Sequence, residues 1–317
     1  MTDPRTQAVL DGDIRTTARL IRDIDDEIPG YIEALMNIYP HTGKAHLLGI
    51  TGLPGAGKST LVDQIVEHIR KRELTVGLVL VDPTSPFSGG AILGDRIRMH
   101  RHYTDPGVFI RSVATRGHLG GISRSTNDIV NVLDAMGKDV VIVETVGVGQ
   151  DETEIASPAH TTVVVLTPGM GDEIQAIKAG ILEVGDIFVI NKADREGADR
   201  AVRDLETMLD MDARPRGGFR PPVVTTEALN GRGLEELMDA VESHRAHIAQ
   251  ADLLREKKRR RAEFEVMELL KESLLAAAVE SRGGIEGMED IFEAVSRRDT
   301  DPYSEVQSLI KKLLKKK

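Results

Sequence analysis

Seven short apolar, β-branched runs separated by amphipathic stretches constrain this 317-residue chain more than any other feature. They are Leu47–Thr51, Val76–Val81, Val108–Val113, Val140–Val143, Thr162–Leu166, Ile187–Ile190 and Val223–Thr226. Near-continuous apolar runs of this length suit strands buried on both faces. Parallel neighbours of that kind need helical crossovers, which cover the sheet above and below. The expected fold class is therefore α/β, a mostly parallel sheet with helices on both faces. Before the first run, residues 1–45 read as a helical extension: Val9, Ile14, Ala18, Leu20, Ile21 and Ile24 recur at helical spacing, punctuated by Pro29-Gly30 and Pro40. Past Gly233 the strands stop. Leu234–Ile248 and Leu253–Val279 carry helical periodicity, with Val266, Leu269, Leu270, Leu274 and Ala277 on one stripe, and Gly283-Gly284 ends the longer helix. Two short helical pieces split by Asp301-Pro302 close the chain. The expected division is a helical extension over 1–45, an α/β domain over 46–250 and a C-terminal helical arm over 251–317.

Composition narrows the chemistry. Cysteine is absent, which excludes disulfides, thiolate metal ligands and a cysteine nucleophile. A formal net charge of −10 argues against nucleic acid as a partner, and an aromatic content of 3% offers few stacking platforms for bases. Two basic runs, Lys257–Arg261 and Lys311, Lys312 and Lys315–Lys317, oppose that average and read as a solvated helix face and a cationic helix end that complements its dipole. No apolar stretch has the length of a membrane span, and Met1–Asp13 lacks the apolar core of a secretion signal, so the expected location is the cytoplasm, with no membrane partner.

The chemistry is concentrated in three motifs. Gly52-Leu53-Pro54-Gly55-Ala56-Gly57-Lys58-Ser59 follows the first run and opens a helix from Thr60. Its glycines let backbone amides turn inward around phosphates at a helix N-terminus, where anions are favoured. Lys58 is expected to reach the β- and γ-phosphate oxygens and Ser59 to offer its hydroxyl to Mg²⁺; Gly55, Ala56, Gly57 and Thr60 complete the phosphate-binding set. Asn191-Lys192-Ala193-Asp194 follows the sixth run. A carboxylate at Asp194 accepts hydrogen bonds from the guanine N1–H and exocyclic amine, donors that adenine does not present there, and a site built this way rejects the analogue strongly. Lys192 is expected to lie along the base and Asn191 to fix the loop. Glu227, Ala228 and Leu229, which follow the seventh run, join the expected nucleotide-binding set. In Glu144-Thr145-Val146-Gly147 the acid at a strand end suits Mg²⁺ and the Gly147 amide suits the γ-phosphate. Asp82 and Asp95 are candidates for a metal contact or for orienting the attacking water, with a helix cap or a loop-bracing ion pair as the rival role for each. The ligands implied are GTP or GDP with Mg²⁺.

These motifs resemble the MeaB/MMAA group of P-loop GTPases. The likeness extends to Val81-Asp82-Pro83, to Gly89 through Met99, to Glu144 through Gln150, and to Pro168 through Lys178. It implies a homodimeric G-protein chaperone that gates cofactor loading of an adenosylcobalamin-dependent acyl-CoA mutase and protects that enzyme. It further implies switch segments over 82–99 and 144–154, an additional switch over 169–178, and a dimer arm after Asp252. The charged and polar groups of the glycine-rich 169–178 loop lead to the expectation that partner binding moves it, bringing Lys178 or Asp172 toward the phosphates. Val148 follows Gly147 where Ras-type GTPases carry a water-orienting glutamine, and Gln150 is displaced from that position, so slow intrinsic hydrolysis with partner activation is expected.

Two other classes compete. An older name for the group, ArgK, casts it as a lysine, arginine and ornithine transport kinase; a kinase needs a base beside the γ-phosphate, a part Asp82 could fill. A nickel metallochaperone GTPase needs a metal cluster, for which His100-Arg101-His102 is the best candidate, although such a pair in an Arg-rich helix reads more readily as a solvated face.

Overall fold

The computed structural model describes residues 3–82, 99–114, 124–145, 159–169, 181–211, 218–250 and 253–315. Its strands are β1 (His46–Gly52), β2 (Val76–Asp82), β3 (Val108–Ala114), β4 (Val140–Thr145), β5 (Thr161–Leu166), β6 (Ile187–Asn191) and β7 (Val223–Thr226). They are the seven runs, lengthened by at most two residues at an end. The sheet order is β3-β2-β4-β1-β5-β6-β7, and every neighbouring pair is parallel. Strand order runs outward from β1 in both directions, so the carboxyl ends near β1 form the topological switch point where open parallel sheets bind ligands.

Both faces are covered. Helix α4 (Lys58–Lys71) and the helix Leu234–Gln250 bury Leu61, Ile65, Leu237 and Val241 against Leu48, Ile50, Leu78, Ile142 and Val163. On the other face α1 (Pro4–Leu10), α2 (Ile14–Asp25), α3 (Tyr31–Ile38) and α5 (Arg124–Ala135) pack over Leu47, Val79, Val141 and Val143. The N-terminal helices thus share the sheet's own core. Asp3 and Asp13 begin α1 and α2 by accepting from the Thr6 and Thr16 amides at 3.2 and 2.7 Å. Of the predicted stripe, Val9, Leu20, Ile21 and Ile24 are buried, whereas Ile14 and Ala18 face outward; buried Thr17 takes the inward position between them. Polar ties fasten this layer. The Asp134 carboxylate accepts from the Gly43, Lys44 and Ala45 amides at 2.6, 3.1 and 2.9 Å, and Arg111 pairs with Asp25.

The basic run Lys257–Arg261 corrects an expectation. Lys257 Nζ donates to the Asp186 carboxylate at 3.0 Å and the His160 carbonyl at 2.8 Å, Lys258 to the Gly43 carbonyl at 2.9 Å, and Arg261 to Asn131 at 2.7 Å. Lys257 and Arg261 are half-buried anchors, because acceptors of the α/β domain lie across from them, while Lys258, Arg259 and Arg260 are exposed as expected. Residues from Ala262 onward form a second compact unit. It holds the remainder of the helix Leu253–Glu280, ended by Gly283 and Gly284 at positive φ, then Glu289–Ser296 and Pro302–Lys315. Leu309 is buried there, while Val266, Leu270, Leu274, Phe292 and Val306 are exposed. Among the described residues, no helix is long and apolar enough to cross a membrane.

Candidate nucleotide site

The loop between β1 and α4 needs its glycines for steric reasons. A Cβ at Gly52 would run into the Val165 carbonyl, and one at Gly57 into the Asn191 side-chain amide; both residues, with Gly55, have positive φ. The loop then delivers Lys58 and Ser59 to the first turn of α4, where both are buried. Lys58 Nζ donates to the Gly52 carbonyl at 2.7 Å and the Leu53 carbonyl at 3.1 Å, so the ammonium sits inside the loop's curve. Ser59 Oγ donates to Glu144 Oε1, at the end of β4, at 2.7 Å.

Asn191 joins the two halves of the site. Its Nδ2 donates to the Ala56 carbonyl at 2.8 Å, while its Oδ1 accepts from Thr226 Oγ1 and from the Ala228 amide, each at 3.1 Å. One buried amide therefore fixes the phosphate loop relative to the segment after β7. Lys192 adopts positive φ, and its Nζ donates to the Gly55 carbonyl at 2.6 Å, so its stem spans from the β6 end to the phosphate loop. The Ala193 amide donates to the Thr226 carbonyl at 3.0 Å, completing the loop that carries Asp194.

A cavity of about 560 Å³ lies among these groups, a size typical of small-molecule sites. Gly55, Gly57, Lys58, Ser59, Thr60 and Glu144 line its phosphate-loop side, and Asn191, Lys192, Asp194, Glu227, Ala228 and Leu229 its other side. Among the described residues, Ala56 is the exception in the expected binding set: it is buried, and its carbonyl serves Asn191. Pro54, Thr145, Arg195 and Asn230 also line the cavity. The sequence reading gave them no role, and adjacency to motif residues was the one signal available. Asp82 ends β2 in register with Ala114; its side chain, together with Asp95, Gly147, Gln150, Asp172 and Lys178, lies outside the described residues.

The Ser59 hydroxyl and Glu144 carboxylate are hard oxygen donors within hydrogen-bond distance of each other at the cavity, a donor set that fits Mg²⁺. Among the described residues no group of three or more His, Asp or Glu side chains could hold a metal. His100-Arg101-His102 has another use. Arg101 pairs with Asp63 and Glu67 on α4, the His102 Nε2 lies 3.0 Å from Asp63 Oδ1, and His100 meets Tyr103 edge-on at 5.4 Å between ring centroids. His102 is buried, so the expected solvated face is in fact a brace onto α4.

Comparisons with known proteins agree on this architecture. A sequence profile described as methylmalonyl Co-A mutase-associated GTPase MeaB matches residues 18–282. A Pyrococcus abyssi protein with a provisional GTPase name is 48% identical over 99% of this chain and 97% of its own length. The Escherichia coli GTPase ArgK is 41% identical over 64% of this chain and 62% of its own, and the mouse mitochondrial methylmalonic aciduria type A homolog 33% identical over 72% and 56%. A crystal structure of a LAO/AO transport system kinase superposes with a TM-score of 0.73 at 25% identity, covering 98% of this chain and 96% of that one.

Proposed function

Because the chain belongs to the MeaB family of methylmalonyl Co-A mutase-associated GTPases, we propose that it is a Mg²⁺-dependent GTP-hydrolysing switch serving an adenosylcobalamin-dependent acyl-CoA mutase. In this role it gates cofactor loading and protects the mutase. The observation that carries the nucleotide reading is the Asn191 bridge, which puts the phosphate loop and the Asp194 loop on one cavity.

The residues divide the work. Backbone amides of the phosphate loop and Lys58 hold the phosphates and offset the charge that spreads over the γ-phosphoryl group as it leaves. Ser59 and Glu144 are the residues that would hold Mg²⁺, which when bound supplies further positive charge to the phosphate oxygens. Asp194 reads the N1–H and 2-amino groups, and the Lys192 stem, crossing the cavity to Gly55, lies along the base. Asp82, Asp95, Gly147 and Gln150 retain their proposed parts around the metal, the water and the γ-phosphate, and Asp172 and Lys178 theirs in partner-stimulated hydrolysis. The exposed Val266, Leu270 and Leu274 support a homodimer formed through the C-terminal helices. The reading places this work in the cytoplasm.

The test is GTP hydrolysis measured with and without a purified adenosylcobalamin-dependent acyl-CoA mutase. Faster turnover with the mutase supports the chaperone reading, and Lys178→Ala is expected to lose that stimulation. An unchanged rate with every such mutase contradicts it. The transport-kinase name of the structural relative suggests the other reading, which predicts phosphate transfer to arginine or ornithine in the same assay.

A further inference from the structure

The end of β4 is gripped on both of its faces. Side chains alternate along a strand, so Val141, Val143 and Thr145 face the layer of α1, α2, α3 and α5, while Ile142 and Glu144 face α4. On the α4 face Ser59 Oγ donates to Glu144 Oε1 at 2.7 Å. On the opposite face Thr145 Oγ1 donates to Thr51 Oγ1 at 3.0 Å, and both threonines are buried. β1 and β4 are parallel neighbours with Ile50 opposite Glu144, so the threonines stand one step further along, where β1 gives way to the phosphate loop. The two grips therefore reach the two flanks of that loop, since Thr51 precedes Gly52 and Ser59 follows Lys58. Glu144 and Thr145 both line the cavity.

The two grips differ in what a ligand asks of them. Ser59 and Glu144 are the residues that would hold Mg²⁺, so their oxygens are shared with the metal once it binds. The threonine hydroxyls are neutral and engaged with each other on the far face of the strand. Resting on the reading of this cavity as a GTP site, we propose that Thr51 and Thr145 are positioning residues for its γ-phosphate end: their bond holds the end of β4 in register with the phosphate loop. The α- and β-phosphates are held by the loop's amides, Lys58 and Ser59. The γ-phosphate also uses the amide of Gly147, which follows Thr145 closely in the chain. Loosening the end of β4 therefore weakens a triphosphate more than a diphosphate. Thr145 acts through the strand, because its hydroxyl is engaged by Thr51.

The test separates positioning from packing. Thr51→Val or Thr145→Val alone leaves the other hydroxyl buried without this partner and is expected to lower thermal stability. The double variant replaces both hydroxyls by methyl groups of similar shape and is expected to melt near the parent. Binding of GDP and of the non-hydrolysable β,γ-imido analogue of GTP is measured by calorimetry with Mg²⁺. The full chain, both single variants, the double variant and Thr145→Ser, which keeps the hydroxyl, are compared. In the double variant the affinity for the analogue relative to GDP is expected to fall about fivefold, the value of roughly one ordinary hydrogen bond. GDP affinity is expected to stay as in the parent, and Thr145→Ser to keep the parent ratio. A double variant with the parent ratio, or one that loses GDP and the analogue equally, overturns the positioning role. Thr145→Ser behaving like the double variant overturns it too. If the double variant does not fold, Thr145→Val is read in the same way. A parent chain that binds neither nucleotide overturns the GTP reading itself, a result distinct from failure of the threonine pair.

Discussion

The two ends of the same sheet carry buried polar groups arranged for different ends. At the carboxyl ends of β1, β4 and β6, Lys58, Ser59, Glu144 and Lys192 line a cavity, where they bond to loop carbonyls or to one another. At the amino ends of β1, β5 and β6, the polar groups are closed into a network. Thr161 Oγ1 lies 3.1 Å from His46 Nε2 and 2.9 Å from His244 Nδ1, and His160 Nδ1 accepts from the Leu47 amide at 3.1 Å. His244 Nε2 lies 3.4 Å from the Asp186 carboxylate, which also receives Lys257. Burial, above all, pushes the His46 and His160 imidazoles down to about 3, so they serve as neutral hydrogen-bonding groups at ordinary pH. The contrast teaches where function and stability separate in a parallel sheet. One edge sets its polar groups around a cavity, and the other joins them into a network that anchors the start of the C-terminal helix.

Substitutions at the two edges should therefore fail differently. The largest effect is expected at Lys58. Lys58→Ala removes the ammonium that offsets phosphate charge, and GTP turnover at saturation should fall on the order of 10²–10³-fold, with thermal stability near that of the parent. At the opposite edge Lys257→Met leaves the Asp186 carboxylate with fewer partners. Chemical denaturation should show a loss of about 1–2 kcal/mol, because the pair is half-buried and falls between an exposed and a fully buried one, while GDP affinity changes little. A large loss of affinity in Lys257→Met would erase the distinction between the edges.

The smallest effect is a slope. His46 and His160 bind a proton near pH 6.5 when unfolded and near 3 when folded. Below pH 6.5 the unfolded chain binds more protons, so the stability that these groups contribute is complete above 6.5 and lost as pH falls toward 3. Each should contribute about 1.4 kcal/mol per pH unit in that window. His160→Asn should reduce the slope measured by denaturation between pH 6 and 4. An unaltered slope would mean that the acid sensitivity arises elsewhere.

Much of this was legible in the sequence because the physics is local. Buried parallel strands demand continuous apolar runs, and all seven stood out. A backbone anion site demands glycine at fixed positions, and Gly52, Gly55 and Gly57 supplied it. The proposed guanine motif was readable for the same reason, since Asn191, Lys192 and Asp194 lie on one short segment that lines the cavity. The amino-terminal edge was not readable: His46, His160, Asp186, His244 and Lys257 meet only after the strands are aligned. The basic run and His102 misled in the same way, because a charge pattern on a helix does not say whether acceptors wait across from it. Asn230 and Arg232 carry no motif of their own, and their contacts to Glu227 follow from a turn closed by Gly231 and Gly233.

The central claim is that one cavity reads both guanine and phosphate. Calorimetry of GDP, ADP and XDP with Mg²⁺, on the parent and on Asp194→Asn, tests it most directly. The parent should bind GDP and not ADP. Asp194→Asn should move the preference toward XDP, whose 2-oxo group needs a donor where guanine's amine needed an acceptor. Equal affinity of the parent for GDP and ADP would contradict the account.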